Sequence, residues 1–358
     1  MFQVRSDNID ALMRAVFKRL LSGNRENFRV TSRKGSSTEI FGALLELSDP
    51  RARLSRSRGR SPVLSAHGEL VWYLAASNSV EFIEHYISGY RKYSDDGTTV
   101  NGAYGPRIFA PRRWKGLTEN DQWQRVIDTL RSRAGSRNGI IQLFTNRDAE
   151  IDSNDIPCTC VIQFLIRRNK LHMYVHMRSN DAFLGLPHDI FSFTMLQEVA
   201  ARELKIELGF YKHSVASLHL YDDTDDFQPR TSAQQYLDEG RHDVVPMPAM
   251  PLGDPWPSIK ELVQAEEFIR SGSGDYRFSE KLDAYWADLI TLLKIHTVAK
   301  GKSPAADMAE LLRTVTSPAY RAYILDRIKR RLDPEQSMLD LFRNRENHAE
   351  RNAQGSGS

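Results

Sequence analysis

The sequence has few cysteines, no long apolar segment and almost no net charge. Its 358 residues include only Cys158 and Cys160, and no Cys/His cluster has the spacing of a zinc site. No apolar run approaches the ~20 residues that a transmembrane helix needs, and the N-terminus carries no hydrophobic signal segment. The formal net charge of +3 is too small to indicate nucleic-acid binding. We therefore expect a cytoplasmic protein with reduced cysteines that binds no metal, membrane or nucleic acid.

The apolar pattern predicts an α/β (α+β) protein in which helices pack on a mixed sheet. Residues 194–208 are expected to form a long helix that ends at Gly209 as a C-cap glycine. After about residue 222 the pattern changes, and five prolines in 245–257 predict an extended linker or wrap. Four helical patterns follow, so a helical C-terminal extension is expected. The predicted division is 1–235 for the body, 236–343 for the extension and 344–358 for a disordered tail.

A cluster of arginines lies in a Ser/Gly-rich stretch near residue 55. The stretch is expected to be a solvated loop, and the alternative is a loop that closes over an anionic ligand, with one arginine functional. The arginines are Arg51, Arg53, Arg56, Arg58 and Arg60.

Residues 157–193 hold both cysteines and a predicted β-hairpin. Two apolar runs, 161–166 and 171–177, flank a polar turn. Cys158 precedes the first run, and Arg178 follows the second. A cysteine is nucleophilic as a thiolate, which a nearby cation stabilises. For a cysteine considered alone, a small buried apolar residue is the better interpretation.

The same stretch resembles the thymidylate synthase family, and most of all its pyrimidine nucleotide (dCMP/CMP) hydroxymethylase branch. The family's nucleophile motif, Pro-Cys-His-x-x-x-Gln-Phe, is matched by PCTCVIQF from Pro157. Its next motif, Arg-Ser-x-Asp-x-Phe-Leu-Gly-x-Pro-Phe-Asn-Ile-x-Ser-Tyr, is matched by RSNDAFLGLPHDIFSF from Arg178. Weaker matches extend over 8–221. The resemblance implies a thymidylate synthase-like catalytic domain over 1–235.

The resemblance also implies a reaction and roles for individual residues. Cys158 would add to C6 of a pyrimidine nucleoside monophosphate, and C5 would then attack the methylene of 5,10-methylenetetrahydrofolate. Arg137 would reach the phosphate site of a neighbouring subunit, which implies a homodimer. The implied residues are Cys158, Glu69 and Tyr104 for catalysis; Arg33, Arg178, Arg137 and Ser179 for the phosphate; Asp189 for the base; His219 and Tyr221 for the sugar; and Asp181 and Tyr90 for folate.

Asp189 is the departure that bears on the base, because the synthases that act on dUMP have asparagine there. Uracil offers an N3–H donor and an O4 acceptor, which an amide can match. Cytosine offers the inverse pattern, and a carboxylate can accept from its N4 amine. Asp189 therefore favours a cytosine nucleotide, since a buried mismatch costs on the order of 1–3 kcal/mol per unsatisfied group.

Two other departures concern the product. The family's shielding tryptophan falls in the segment from Tyr90 to Tyr93, and no short apolar C-terminal tail closes the site. A wetter pocket would let water add to the methylene group and give a hydroxymethyl product with tetrahydrofolate. Thr159 replaces the family's histidine, with no consequence assigned.

The first interpretation is a dCMP 5-hydroxymethylase. CMP 5-hydroxymethylase, dCMP C5-methylase and a nucleotide-binding regulatory protein remain as alternatives.

Overall fold

The computed structural model describes residues 2–57, 62–109, 113–114, 117–118, 121–240, 243–274, 276–301 and 304–332. The described strands are β1 (Phe2–Ser6), β2 (Asn27–Ser32), β3 (Gly35–Leu47), β4 (Arg113–Trp114), β5 (Leu117–Thr118), β6 (Ile140–Gln142), β7 (Thr159–Arg167), β8 (Lys170–Asp181) and β9 (Glu207–Tyr221). The described helices are α1 (Ile9–Leu21), α2 (Val63–Leu74), α3 (Val80–Tyr86), α4 (Tyr104–Ile108), α5 (Gln122–Ser132), α6 (Asn146–Glu150), α7 (Gly185–Glu203), α8 (Pro229–Asp238), α9 (Trp256–Arg270), α10 (Ala284–Val298), α11 (Pro304–Thr314) and α12 (Pro318–Leu332). A 3-10 turn covers Tyr90–Tyr93.

Seven of the described strands form one mixed sheet, which confirms the predicted fold class. Its order is β1-β3-β9-β8-β7-β6, and β2 pairs with the first half of β3, residues 35–40. The pairs β1/β3 and β8/β9 are parallel, and the other neighbours are antiparallel. A parallel pair needs a crossover connection, which α7 supplies between β8 and β9. The end of β8 and the start of α7 therefore lie together at one edge of the sheet.

The central helix α7 starts earlier than the sequence indicated. The helix expected over 194–208 in fact runs from Gly185 to Glu203, and every residue from Leu186 to Ala201 is buried. The prediction for its end is also wrong, because Lys205 takes the left-handed backbone conformation (φ 58°) and Gly209 lies inside β9. Pro187 in the first turn is compatible with a helix, since that turn has no internal N–H partner to lose.

The arginine-rich stretch is not the solvated loop that was expected. Arg53 is 1% exposed and donates to Oε2 of Glu198 on α7 at 2.5 Å. Arg56 donates to the carbonyl oxygens of Ala319 and Val245, at 3.2 Å each. Arg53 therefore holds this stretch against α7, and Arg56 connects it to the C-terminal part of the chain. Arg58 and Arg60 lie outside the described residues, as do 344–358, where the disordered tail was predicted.

The helices after residue 244 pack on the body through buried polar contacts. Nε2 of His67 on α2 lies 3.0 Å from the carbonyl oxygen of Leu289 on α10. Oε2 of Glu203, at the end of α7, accepts hydrogen bonds from the indoles of Trp123 (3.0 Å) and Trp256 (2.8 Å). The backbone amide of Met250 donates to Oε1 of Glu198 at 2.9 Å. Buried apolar residues of α9 and α10 belong to the same core cluster as those of α2 and α7.

No helix among the described residues is both long enough and apolar enough to cross a bilayer.

Candidate active site

Cys158 and Arg178 are brought together by the predicted hairpin of β7 and β8. The amide of Arg178 donates to the carbonyl oxygen of Cys158 at 2.9 Å. The Arg178 guanidinium folds back and donates to the carbonyl oxygens of Pro157 (3.0 Å) and Ile156 (2.9 Å). A fixed cation therefore lies beside the cysteine, as a reactive thiol requires.

The Cys158 thiol lies among four charged side chains. Burial raises the pKa of this thiol, and the carboxylates of Asp189 and Asp155 act in the same direction. The cations of Arg178 and Lys34 lower it. The balance keeps the thiol protonated near neutral pH in the free protein. Either cation, or a change in either carboxyl, would alter the fraction of thiolate.

Glu69 on α2 is held by two neighbours, one at each carboxylate oxygen. The hydroxyl of Tyr73, one turn later on the same helix, donates to Oε1 at 2.9 Å. Nδ1 of His188 on α7 lies 2.7 Å from Oε2. Glu69 is only 8% exposed, so neither contact is a solvent-screened surface pair. A carboxyl in this position can exchange protons with a bound ligand or an ordered water.

Asp189 is buried on α7, as its apolar sequence context indicated. Nδ2 of Asn180, at the end of β8, donates to Oδ2 of Asp189 at 2.6 Å. Burial raises the pKa of the Asp189 carboxyl well above its usual range, the charge of Glu69 adds to the effect, and the Asn180 hydrogen bond opposes it. Burial therefore favours the protonated form of Asp189, which can both donate and accept a hydrogen bond.

Tyr104, at the start of α4, points its hydroxyl at the first residue of β7. The oxygen accepts from the backbone amide of Thr159 at 3.1 Å, and its distance from the Thr159 hydroxyl is 3.0 Å. Burial raises the pKa of the phenol well above its usual range, and the charges of Asp189 and Cys158 act in the same direction. Tyr104 is thus a neutral phenol within electrostatic reach of both residues.

Aromatic rings form a wall beside this pocket. The ring centroids of Tyr104 and Tyr73 are 5.4 Å apart, and the centroids of Tyr90 and Trp72 are 5.9 Å apart. Burial raises the pKa of Tyr90 well above its usual range, with Asp155 and Glu69 adding to the effect. Tyr90 therefore lies close to the proposed catalytic carboxyl.

The residues predicted to bind phosphate are more dispersed. Arg33 is exposed in the turn between β2 and β3, and its Nη2 donates to the carbonyl oxygen of Asn154 at 3.1 Å. Ser179 on β8 is paired in register with Ser217 on β9. Arg137 is exposed, and among the described residues no hydrogen bond or ion pair joins its guanidinium to the site. Within the described part of the chain, its carbonyl oxygen accepts from Nε2 of Gln163 at 2.8 Å.

Asp181, His219 and Tyr221 lie at the same end of β8 and β9. Asp181 and His219 are register partners, and the rings of His219 and Tyr221 are 4.9 Å apart. The described donors to Asp181 are the amides of Phe183 (2.7 Å) and Leu184 (3.0 Å), both directed to Oδ1. Oδ2 thus retains acceptor capacity that fits a donor group of a folate ring. Among the described residues, no group of three His, Cys, Asp or Glu could hold a metal ion.

Sequence reasoning missed several residues of this pocket. His188 and Asn180 stand at positions of the quoted motif, and replacement of the family's phenylalanine by His188 was a signal that received no interpretation. Lys34 adjoins Arg33, and its Nζ lies 4.4 Å from the centre of the Tyr93 ring. Thr159, whose replacement of histidine had no assigned consequence, is the partner of Tyr104. Tyr73 gave no signal, because it resembles any core residue of an apolar helix.

Comparisons with known proteins agree with this geometry. The family model described as thymidylate synthase matches residues 23–244, more than half of the chain. The chain is similar to a protein of Delftia phage PhiW-14 named deoxyuridylate hydroxymethyltransferase, with 31% identity over 53% of this chain and 54% of the relative. Proteins of the same name from Pseudomonas phage M6 and Bacillus phage SP01 are 31% and 29% identical, over 43% and 51% of this chain and 43% and 50% of their own lengths.

The chain thus spans about half the length of the curated relatives it matches. The matched family region covers every residue named for the pocket. The chain belongs to the thymidylate synthase family.

Proposed function

We propose that the protein is a hydroxymethyltransferase that modifies C5 of a pyrimidine nucleoside monophosphate, with dCMP as its substrate. One observation carries the proposal: in a chain of this family, Asp189 lies close enough to Cys158 to raise the pKa of its thiol, and Glu69 lies close enough to Asp189 to raise the pKa of its carboxyl. The names of the phage relatives support the reaction type.

The residues divide the reaction between them. The Cys158 thiolate adds to C6 of the base, which makes C5 nucleophilic. Methylenetetrahydrofolate supplies the one-carbon unit that C5 takes up. The Tyr104 phenol stabilises the network that receives the C5 proton, and as this proton leaves, the bond between the transferred carbon and the folate nitrogen would break, its electron pair leaving with tetrahydrofolate. Glu69 holds the water whose oxygen then adds to that carbon and becomes the product hydroxyl. As the C5–C6 double bond re-forms, Cys158 leaves with the electron pair of its bond to C6. The products are 5-hydroxymethyl-dCMP and tetrahydrofolate.

Asp189 supports cytosine as the base. As a neutral acid it can donate to N3 of cytosine and accept from the N4 amine. Oδ2 already accepts from Asn180, so the acid proton is best placed on Oδ1. Cytosine then fits when the proton on Oδ1 faces N3 of the base and Oδ2 faces the N4 amine. An acidic side chain, in contrast with the amide of the uridylate enzymes, is the observation that favours dCMP.

Uridylate is the second candidate. A neutral carboxylic acid could also donate to O4 of uracil and accept from N3–H, so the raised pKa of Asp189 weakens the rejection of uracil expected from an ionised carboxylate. The phage relatives are named for this substrate. CMP differs from dCMP only at the 2′-hydroxyl, and the site offers no observation that favours it.

The test is release of tritium from C5 of dCMP, dUMP and CMP in the presence of methylenetetrahydrofolate, followed by mass analysis of the product. We expect dCMP to react fastest and its mass to increase by that of CH2O, because a hydroxymethyl group replaces the hydrogen on C5. Asp189→Asn should reverse the order of dCMP and dUMP. A 5-methyl product formed with dihydrofolate would contradict the hydroxymethylase, unchanged turnover in Cys158→Ser would refute the nucleophile, and a wild type that binds the nucleotide without turnover would favour a regulatory protein.

We also propose a homodimer in which Arg137 completes the phosphate site of the neighbouring subunit. The Arg137 guanidinium is exposed, and among the described residues it makes no hydrogen bond with the active site of its own chain, which supports this arrangement. Mixing the inactive variants Arg137→Ala and Cys158→Ser should restore activity, because one of the two sites in a mixed dimer has both residues. A mixture as inactive as its components would refute the shared site.

A further inference from the structure

His188 makes a polar contact through each of its ring nitrogens. Nδ1 lies 2.7 Å from Oε2 of Glu69, and Nε2 lies 3.2 Å from the hydroxyl of Ser65. His188 and Glu69 are each 8% exposed. The family motif has phenylalanine at this position, so the polar contact with Glu69 comes from a residue that departs from the motif. Ser65 also lies 3.1 Å from the carbonyl oxygen of Pro62 and is held by its own helix.

The chemistry of the pair fixes the direction of the bond. An ionised Glu69 carboxylate has no hydrogen to give, so Nδ1 of His188 is the donor. The Ser65 hydroxyl has one hydrogen, which it can give either to the carbonyl oxygen of Pro62 or to Nε2; when it gives it to Pro62, it can accept from a protonated Nε2. The buried Nδ1–Oε2 contact is therefore a charge-assisted hydrogen bond, which is stronger than one between neutral groups.

The effect on Glu69 follows from the position of its other partner. Tyr73 occupies Oε1 from the same helix, and this contact alone would leave the carboxylate free to rotate about its last bond. His188 occupies Oε2 from a different helix, so the plane of the carboxylate is fixed from two directions. Glu69 also lies close enough to Asp189 for its charge to add to burial in raising the pKa of that carboxyl.

We propose that His188 is a positioning residue. It orients the Glu69 carboxylate toward the water that adds to the one-carbon unit on C5 of the base. The proposal rests on the proposed function. His188 is not expected to contact the substrate. It acts through Glu69 and replaces the apolar ring of the family motif by a hydrogen-bond donor.

Two nearly isosteric substitutions test the hydrogen bond. His188→Asn keeps an N–H group close to the position of Nδ1, whereas His188→Leu has a similar shape and no donor. Loss of a hydrogen bond to a charged group costs about 1.5–3 kcal/mol, or about 10- to 100-fold in rate. We expect kcat of His188→Leu to fall by that factor while KM for the nucleotide changes less than about twofold. His188→Asn should retain kcat within about threefold.

Controls separate positioning from folding. His172 lies at the far end of β8 and outside the pocket, so His172→Asn should behave as the wild type. Thermal unfolding of each variant identifies any loss of stability, and if His188→Leu does not fold, His188→Phe takes its place as the donor-free variant. Wild-type kcat in the donor-free variant would overturn the proposal, as would an Asn variant as slow as Leu. An inactive wild type would instead refute the proposed function.

Discussion

The hydroxyl oxygen of Tyr104 is held by the first residue of strand β7, through both the backbone amide and the side chain of Thr159. Because this oxygen accepts from Thr159, the phenolic hydrogen is not used in the contact, and burial together with the charges of Asp189 and Cys158 raises the pKa of the phenol. We propose that Thr159, which replaces the family's histidine, fixes the Tyr104 phenol near Cys158.

Thr159→Val tests this arrangement, because it removes the hydroxyl and keeps both the shape and the backbone amide. One neutral hydrogen bond contributes about 0.5–1.5 kcal/mol, so tritium release from C5 should slow by about 3- to 10-fold. Thr159→Ser should remain within about twofold of the wild type. Equal rates in Thr159→Val and the wild type would show that the amide alone holds Tyr104.

Arg178→Ala should make Cys158 less reactive toward alkylation. The guanidinium lowers the pKa of the thiol against burial and two carboxylates, so its removal raises that pKa and reduces the thiolate fraction at a given pH. Iodoacetamide labelling at pH 8, measured in a Cys160→Ser background, should slow on the order of 3- to 10-fold. Arg167→Ala, at the exposed turn of the same hairpin, is the matched control. If both variants react equally fast, the cation is not acting on the thiol.

Asp189→Asn should stabilise the protein at high pH. The native pKa of this carboxyl is raised by burial and by Glu69, so the folded state keeps a proton that the unfolded state loses. The contribution of Asp189 is therefore fully present below the unfolded pKa and is lost as pH rises toward the native pKa, by about 1.4 kcal/mol per pH unit.

Urea unfolding at pH 5, 6.5 and 8 measures this contribution. The stability gained by Asp189→Asn should grow with pH across the series. Asp226→Asn, at an exposed carboxyl, should show no such trend. A constant difference between Asp189→Asn and the wild type would mean that the carboxyl is ionised throughout.

Arg53→Leu should destabilise the fold strongly. It leaves the Glu198 carboxylate buried without its closest cation, and breaking a buried pair costs about 3–5 kcal/mol. Arg51→Leu, which leaves the backbone contacts of that residue intact, should cost less than about 1 kcal/mol. The double variant Arg53→Leu/Glu198→Leu should recover much of the loss, because no uncompensated charge remains. Equal losses in the single and double variants would contradict an electrostatic origin.

Local sequence patterns predicted the parts of the site that local structure creates. The hairpin that joins Cys158 to Arg178 follows from two apolar runs and a polar turn. The start of α7 was placed nine residues too late, because Leu184 at its N-cap provides no side-chain cap. Proline and two charged or polar residues in the next turns also obscured the helical period.

The local pattern of apolar and polar residues did not predict contacts between segments that are far apart in the sequence. The partner of Arg53 lies 145 positions away, and that of His188 lies 119 positions away. In sequence, both residues resemble ordinary surface groups. Only the packing of α7 against α2 and the arginine-rich stretch gives them partners, and a pattern of single residues does not contain that information.

The contact of Glu203 with two tryptophans gives the protein an intrinsic optical signal. The indoles of Trp123 and Trp256 lie 5.9 Å apart and nearly perpendicular, at 87°, one on the body and one at the start of the C-terminal helices. Because the rings are so close and nearly perpendicular, their electronic transitions couple. Their near-ultraviolet circular dichroism therefore depends on whether the two segments remain packed together. Detachment of the C-terminal helices could therefore be followed without any label.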